Sequence, residues 1–127
     1  MQEGDIYFVE IPASNGHEQA GLRPAIIIQS SRIEKLPTVL VIPLTSQIKA
    51  IGFPFTLLIE PDRDNNLDVA SVALLFQLRA IDKKRLKNKL GKISSNNILR
   101  DHRAAPFFLS IHHEQNSHFW GNNVMVT

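Results

Sequence analysis

Two short strings gather most of the side chains in this sequence that suit chemistry. Residues 16–23, Gly-His-Glu-Gln-Ala-Gly-Leu-Arg, stand directly before an apolar run, and residues 43–47, Pro-Leu-Thr-Ser-Gln, follow another. If both lie on one rim of a small sheet, Arg23, Thr45, Ser46 and Gln47 converge with the loop residues His17, Glu18 and Gln19. Such a set holds an anion: arginine offers a planar fork of donors, threonine and serine add hydroxyls, and histidine moves a proton near neutral pH. Cleavage of RNA through its own 2′-hydroxyl asks for these groups. It needs a base at that hydroxyl, donors for the phosphorane oxygens and an acid at the leaving 5′ oxygen, with no metal, thiol or nucleotide cofactor. Each residue also has an ordinary structural reading. Arg23 can bond loop carbonyls, Thr45 can shape a turn, His17 can be solvated, and Gly16 and Gly21 can serve turns alone.

Other chemistries fit poorly. Asp62, Asp64 and Asn66 alternate as in a calcium loop, but that loop also needs glycine and glutamate where this chain has Leu67 and Ala73, so a hairpin turn is expected. His112, His113 and His118 lack the spacing of a zinc pair, and signatures of serine hydrolases and phosphate loops are absent. The chain has no cysteine, which excludes disulfides and thiolate chemistry and fits a reducing cytoplasm. No metal or cofactor is therefore expected. The net charge is only +2, yet Arg79, Lys83, Lys84, Arg85, Lys87, Lys89 and Lys92 make up half of the 14 lysines and arginines. That segment either holds phosphates, by releasing their counterions, or is a solvated face.

The elements that must position these residues follow from the apolar pattern. A chain of 127 residues suits one domain. Its apolar runs are too short to cross a bilayer, and its first ten residues do not read as a signal peptide. Residues 5–11 read as a first strand, and residues 12–22 as a long connection rich in turn formers. Residues 23–30 then read as a strand buried on both faces, because four consecutive apolar residues leave no side for water. A third strand, residues 38–44, is expected to end at Pro43. Residues 53–60 form another strand, and residues 70–81 read as one long bent strand or two short ones. Asp82 is expected to cap one or two helical turns that Gly91 stops, and Ser94 or Ser95 to cap a second helix toward Arg103, ended by Pro106. The expectation is a mainly β chain: a small antiparallel barrel with a C-terminal helix over residues 1–105, and a tail over residues 106–127.

The strings GDIYFVEI, GHEQAGLRPAIII, VIPLTSQ and SVALLFQLRAIDKKRLKNKLGKIS, spread over residues 4–94, resemble in order and spacing the MazF/PemK/Kid toxins of bacterial toxin–antitoxin modules. The resemblance implies an SH3-like barrel of the MazF/CcdB type, a homodimer, and neutralisation by a small antitoxin. It also implies metal-independent, sequence-specific cleavage of single-stranded RNA to 2′,3′-cyclic phosphate and 5′-hydroxyl ends. Both ligands would share one basic surface, so the antitoxin is expected to be acidic and partly disordered. By position, Arg23 resembles the family's catalytic arginine, acting as proton donor or phosphorane stabiliser, and Thr45 the threonine that holds the scissile phosphate, with Ser46 and Gln47 beside it. His17, Glu18 and Gln19 match the first loop over the RNA. Gln77 and Arg79 match the Q-x-R-x-I-D element, in which Asp82 and Arg85 read as a cap and a surface partner.

Two departures stand out. Many relatives carry an acid where this chain has Phe76, and some carry an arginine where it has Leu74, so a mechanism built on that pair is closed to this chain and the base for the 2′-hydroxyl stays unassigned. The C terminus also lacks the family's regular amphipathic helix. Its Phe119-Trp120-Gly121 is similar to the end of the gyrase poison CcdB, which keeps a non-enzymatic toxin open beside a degenerate relative that only binds an antitoxin.

Overall fold

The computed structural model describes residues 1–12, 21–28 and 35–93. Strand β1 (Asp5–Ile11) pairs antiparallel with β2 (Gly21–Ile28), from Ile6 opposite Ile26 to Ile11 opposite Gly21. Strand β3 (Thr38–Thr45) pairs with β2 from Ile28 opposite Leu40 to Ala25 opposite Pro43. Side chains alternate across a sheet, so the apolar run of β2 feeds two cores. Ile26 and Ile28 pack with Ile6, Ile42 and Leu44 on one face. Ala25 and Ile27 pack with Val9, Val39, Val41 and Ile81 on the other. The strand is buried on both faces, as its composition predicts.

The other edge of β3 is shared between two partners. Strand β6 (Arg79–Asp82) pairs with its first half, ending at Val41 opposite Arg79, and β5 (Ser71–Leu74) with its last residues, beginning at Leu44 opposite Ala73. A short 3-10 turn, Leu75–Gln77, separates β5 from β6, so residues 70–81 form two strands. Pro43 does not end β3, which continues to Thr45. It falls in the gap between the two partners, where a missing N–H interrupts no ladder on that edge.

Strand β4 (Thr56–Ile59) pairs with β5, and β7 (Leu86–Lys92) with β1, giving the order β4-β5-β3-β2-β1-β7 with β6 branching from β3. The sheet is antiparallel but open, in contrast to the closed barrel expected: β4 has only four residues and forms no ladder with β7. The turn after β4 spans the gap instead. Asn66 donates from Nδ2 to the Leu90 carbonyl at 2.8 Å, and the Lys92 amide donates to the Asp64 carbonyl at 2.9 Å. Within the turn, Asp62 accepts the amides of Asp64 and Asn65 at 2.9 and 2.7 Å, and buried Asn65 accepts those of Asp62 and Leu67, both at 3.0 Å. These side-chain oxygens serve backbone donors, which makes the segment the hairpin turn expected. No cluster of three metal-ligating side chains occurs among the described residues.

The helix expected from Asp82 to Gly91 is a correction. Asp82 does cap, accepting the Lys84 amide at 2.9 Å, but the turn is a 3-10 turn of three residues, Lys83–Arg85, and β7 follows it. The reason lies in Leu86 and Leu90. Four residues apart, they would share one helix face, whereas register shifts along β7 send Leu86 to the Val9 core and Leu90 to the Ile6 core. Gly91 is therefore not a helix stop. It lies opposite Ile6, pressed against the turn, where an added Cβ would come within 2.6 Å of the Asn65 carbonyl oxygen. Gly91→Ala should lower stability by about 2 kcal/mol, as overpacking does, while Gly52→Ala, which meets open space, should change it by less than about 0.5 kcal/mol. Denaturant midpoints check both. The second helix, residues 94–103, and the tail lie outside the described residues, and among those described no helix is long and apolar enough to cross a membrane.

Candidate functional site

The polar candidates extend the second core outward along one face of the sheet. On β3 the side chains of Val39, Val41, Pro43 and Thr45 share that face; on β6 so do Ile81 and Arg79, and on β2 Ile27, Ala25 and Arg23. Both β2 and β6 run antiparallel to β3, so the apolar residues fall inside and the polar ones at one end. The β2–β3 register, carried two residues past its last pair, leads to Arg23 and Thr45 on facing strand ends. The apolar run before Thr45 and after Arg23 thus fixes where both must emerge.

A cavity of about 640 Å³ opens at this end, with Thr45, Gln47, Gln77 and Arg79 in its wall. Arg23 and Ser46 are not part of that wall: Arg23 is half-buried on the neighbouring strand and Ser46 is exposed at the strand end. His17, Glu18 and Gln19 lie outside the described residues. Thr45 is only 2% exposed, and its hydroxyl oxygen accepts the Gln47 amide at 3.1 Å. That bond leaves the hydroxyl proton to donate, and it has no acceptor among the described residues. A buried donor of this kind is costly unless a ligand or water meets it.

Lys49, Phe53, Leu74 and Phe76 complete much of the wall. Lys49 comes from a 3-10 turn, Ile48–Gly52, that follows the Pro-Leu-Thr-Ser-Gln string, and Phe53 caps that turn by donating its amide to Ala50. Neither was expected, because nothing in residues 48–53 marks them for chemistry; the aromatic residues of a turn, Phe53 and Phe55, are the available signal. Among the described residues the wall holds two cations, Lys49 and Arg79, and no carboxylate. Its electrostatics favour an anion.

The basic segment is not one patch. Arg85 pairs with Glu10 at 3.4 Å and Lys89 with Asp5 at 3.3 Å, both on β1, so Arg85 is the surface partner expected. Of the seven basic residues, Arg79 alone is in the cavity wall.

Comparison with known proteins agrees with this architecture. Residues 2–105 match the family described as PemK-like, MazF-like toxin of type II toxin-antitoxin system. Endoribonuclease MazF of Staphylococcus saprophyticus is 37% identical over 113 residues, covering 88% of this chain and 93% of that protein. Among solved structures, MazF from Deinococcus radiodurans superposes with a TM-score of 0.64 at 21% identity, over 94% of this chain and 96% of that one. A mycobacterial endoribonuclease in complex with its cognate antitoxin gives a TM-score of 0.63 at 16% identity, over 85% and 93% of the two chains. The two structures establish the shared fold, and the sequence matches establish kinship: this chain belongs to the PemK-like, MazF-like toxins of type II toxin–antitoxin systems.

Proposed function

We propose that this chain, an endoribonuclease toxin of the MazF type, cleaves single-stranded RNA without a metal at the strand-end site of Arg23 and Thr45. The observation that carries the reading is the buried Thr45 hydroxyl, its proton unclaimed among the described residues, in a cavity whose described wall includes the cations Lys49 and Arg79. In the reaction the RNA's 2′-oxygen bonds to phosphorus as its proton leaves, and the bond to the 5′ oxygen breaks as that oxygen gains a proton. The products are a 2′,3′-cyclic phosphate and a 5′-hydroxyl. Negative charge builds on the non-bridging oxygens in between. The Arg23 fork and the Thr45 hydroxyl are donors for those oxygens, and fixed donors aimed at developing charge are worth more in a partly enclosed site than in water. Lys49 and Arg79 hold the flanking phosphates, and Gln47 and Gln77 meet base edges, which single-stranded RNA displays.

The active species is a homodimer in the cytoplasm, restrained by a cognate antitoxin of acidic character that covers the same cations. The test is incubation of the purified protein with a long RNA in EDTA, followed by end mapping. Discrete cuts with 5′-hydroxyl ends are expected at an undiminished rate; intact RNA, or cutting that needs added Mg²⁺, would overturn the proposal.

A further inference from the structure

Phe53 and Phe76 stand half out of the protein on the cavity wall, 60% and 50% exposed. Their ring centroids are 6.2 Å apart and their planes inclined by 57°. Two aromatic rings left together in water forgo a large burial term, so such a pair signals something that covers it.

The rings sit on a stiff support. Thr56, fully buried, donates its hydroxyl to the Phe53 carbonyl at 2.9 Å, and the Leu75 amide donates to the Phe55 carbonyl at 3.0 Å. The two turns that carry the rings are thereby bonded to each other and to the β4–β5 ladder, which ends at Thr56 opposite Leu74. Phe55 between them is at φ 56°, a conformation that a bulky side chain keeps only where its surroundings impose it. A preformed apolar surface loses little entropy on binding.

We propose that Phe53 and Phe76 form an aromatic platform for one unpaired nucleobase of the bound RNA, which stacks on the face of Phe76 and meets the inclined Phe53 ring beside it, and this makes Phe76 a positioning residue for the cleavage. The inference rests on the RNA-cleaving reading above. A base next to a phosphate presents a flat π-face, an edge of donors and acceptors, and a negative charge. The cavity presents a complement to each: the two rings, the amides of Gln47 and Gln77, and the cations Lys49 and Arg79. An apolar protein side chain would match the rings but not the cations Lys49 and Arg79. The cavity, at about 640 Å³, has room for a nucleotide.

The test uses the full-length protein and an RNA oligonucleotide spanning a mapped cut site, with a 2′-deoxy sugar at the cut position for binding and the normal sugar for cleavage. Phe76→Ala should weaken binding and lower kcat/KM by roughly 5- to 100-fold, the range that loss of one stacked base produces. Phe76→Trp should restore both, and Phe53→Ala should act in the same direction. Replacing each base flanking the cut by an abasic site should reveal one position that costs the unchanged protein this factor and costs Phe76→Ala almost nothing. Both rings are half exposed, so thermal midpoints of the variants should stay close to that of the unchanged protein.

Equal RNA affinity and kcat/KM in Phe76→Ala and the unchanged protein would overturn the platform while leaving the nuclease reading intact. So would variants that alter only dimerisation or antitoxin affinity, which would assign the rings to a protein interface. If the unchanged protein cuts no RNA, binding of a mixed-sequence RNA pool decides: weaker binding by Phe76→Ala sustains the platform without the nuclease, and equal binding removes both.

Discussion

Arg23→Ala should lower kcat for RNA cleavage by about three orders of magnitude, the loss seen when a donor aimed at developing charge is removed from a reaction centre. KM should change far less, because in the proposed binding mode Lys49 and Arg79, both in the cavity wall, hold the phosphates flanking the cut. Arg23→Lys separates charge from geometry. A lysine restores the positive charge but not the planar fork, and only partial recovery is expected if two oxygens are held at once. The substitution tests chemistry rather than folding, because Arg23 is half-buried at the end of β2, beyond the core-forming Ala25–Ile27 contacts. Single-turnover rates on an RNA of mapped sequence check it, with denaturant midpoints as the control. Unchanged cleavage by Arg23→Ala would place the reaction elsewhere on the chain, and toxicity that survived it would revive a non-enzymatic poison of the CcdB type.

The sequence exposed most of what places Arg23 and Thr45, because apolar runs dictate burial and burial dictates where neighbouring polar residues emerge. The four-residue run of β2 required a strand covered on both faces, and its two sets of partners are those of the two cores. What local patterns could not show was pairing over long separations. Leu86 and Leu90 match a helix face as well as a strand, and only the register shifts against β1 decide for the strand. Pro43 signals a strand end by itself, yet β3 passes through it because the partner on that edge changes there.

The site was legible in unequal parts for the same reason. Thr45, Gln47, Gln77 and Arg79 meet in one cavity although Arg79 is more than thirty residues from Thr45 in the chain; the meeting is set by Val41 opposite Arg79. The strings in which these four residues stand are enough to single them out. Phe53 has no such motif, and Lys49 was one cation among 14 lysines and arginines. Both gain meaning only from the turn Ile48–Gly52 folding against β4 and β5. Phe76 was legible as a lost acid, and the geometry gives it a positive description as one of a pair of exposed rings.

Thr45→Val should reduce kcat/KM by about a hundredfold while changing stability by no more than about 1 kcal/mol. Valine fills the same space at a position that is 2% exposed, so no cavity opens. Among the described residues the one bond lost is that from the Gln47 amide, and Gln47 is exposed, so water replaces the acceptor. Catalysis has no such substitute if the hydroxyl donates to a non-bridging oxygen of the scissile phosphate. Thr45→Ser keeps the donor and should recover most of the rate. Sulfur substitution at that phosphate makes the assignment stereochemical: one thio diastereomer should slow the unchanged protein, since sulfur accepts hydrogen bonds poorly, and should scarcely slow Thr45→Val further. The double variant Arg23→Ala/Thr45→Val should lose less than the product of the single losses, because two donors on one phosphorane act as a unit. Multiplicative losses and equal thio effects in both proteins would instead make Thr45 a turn residue, its hydroxyl engaged only with the Gln47 amide.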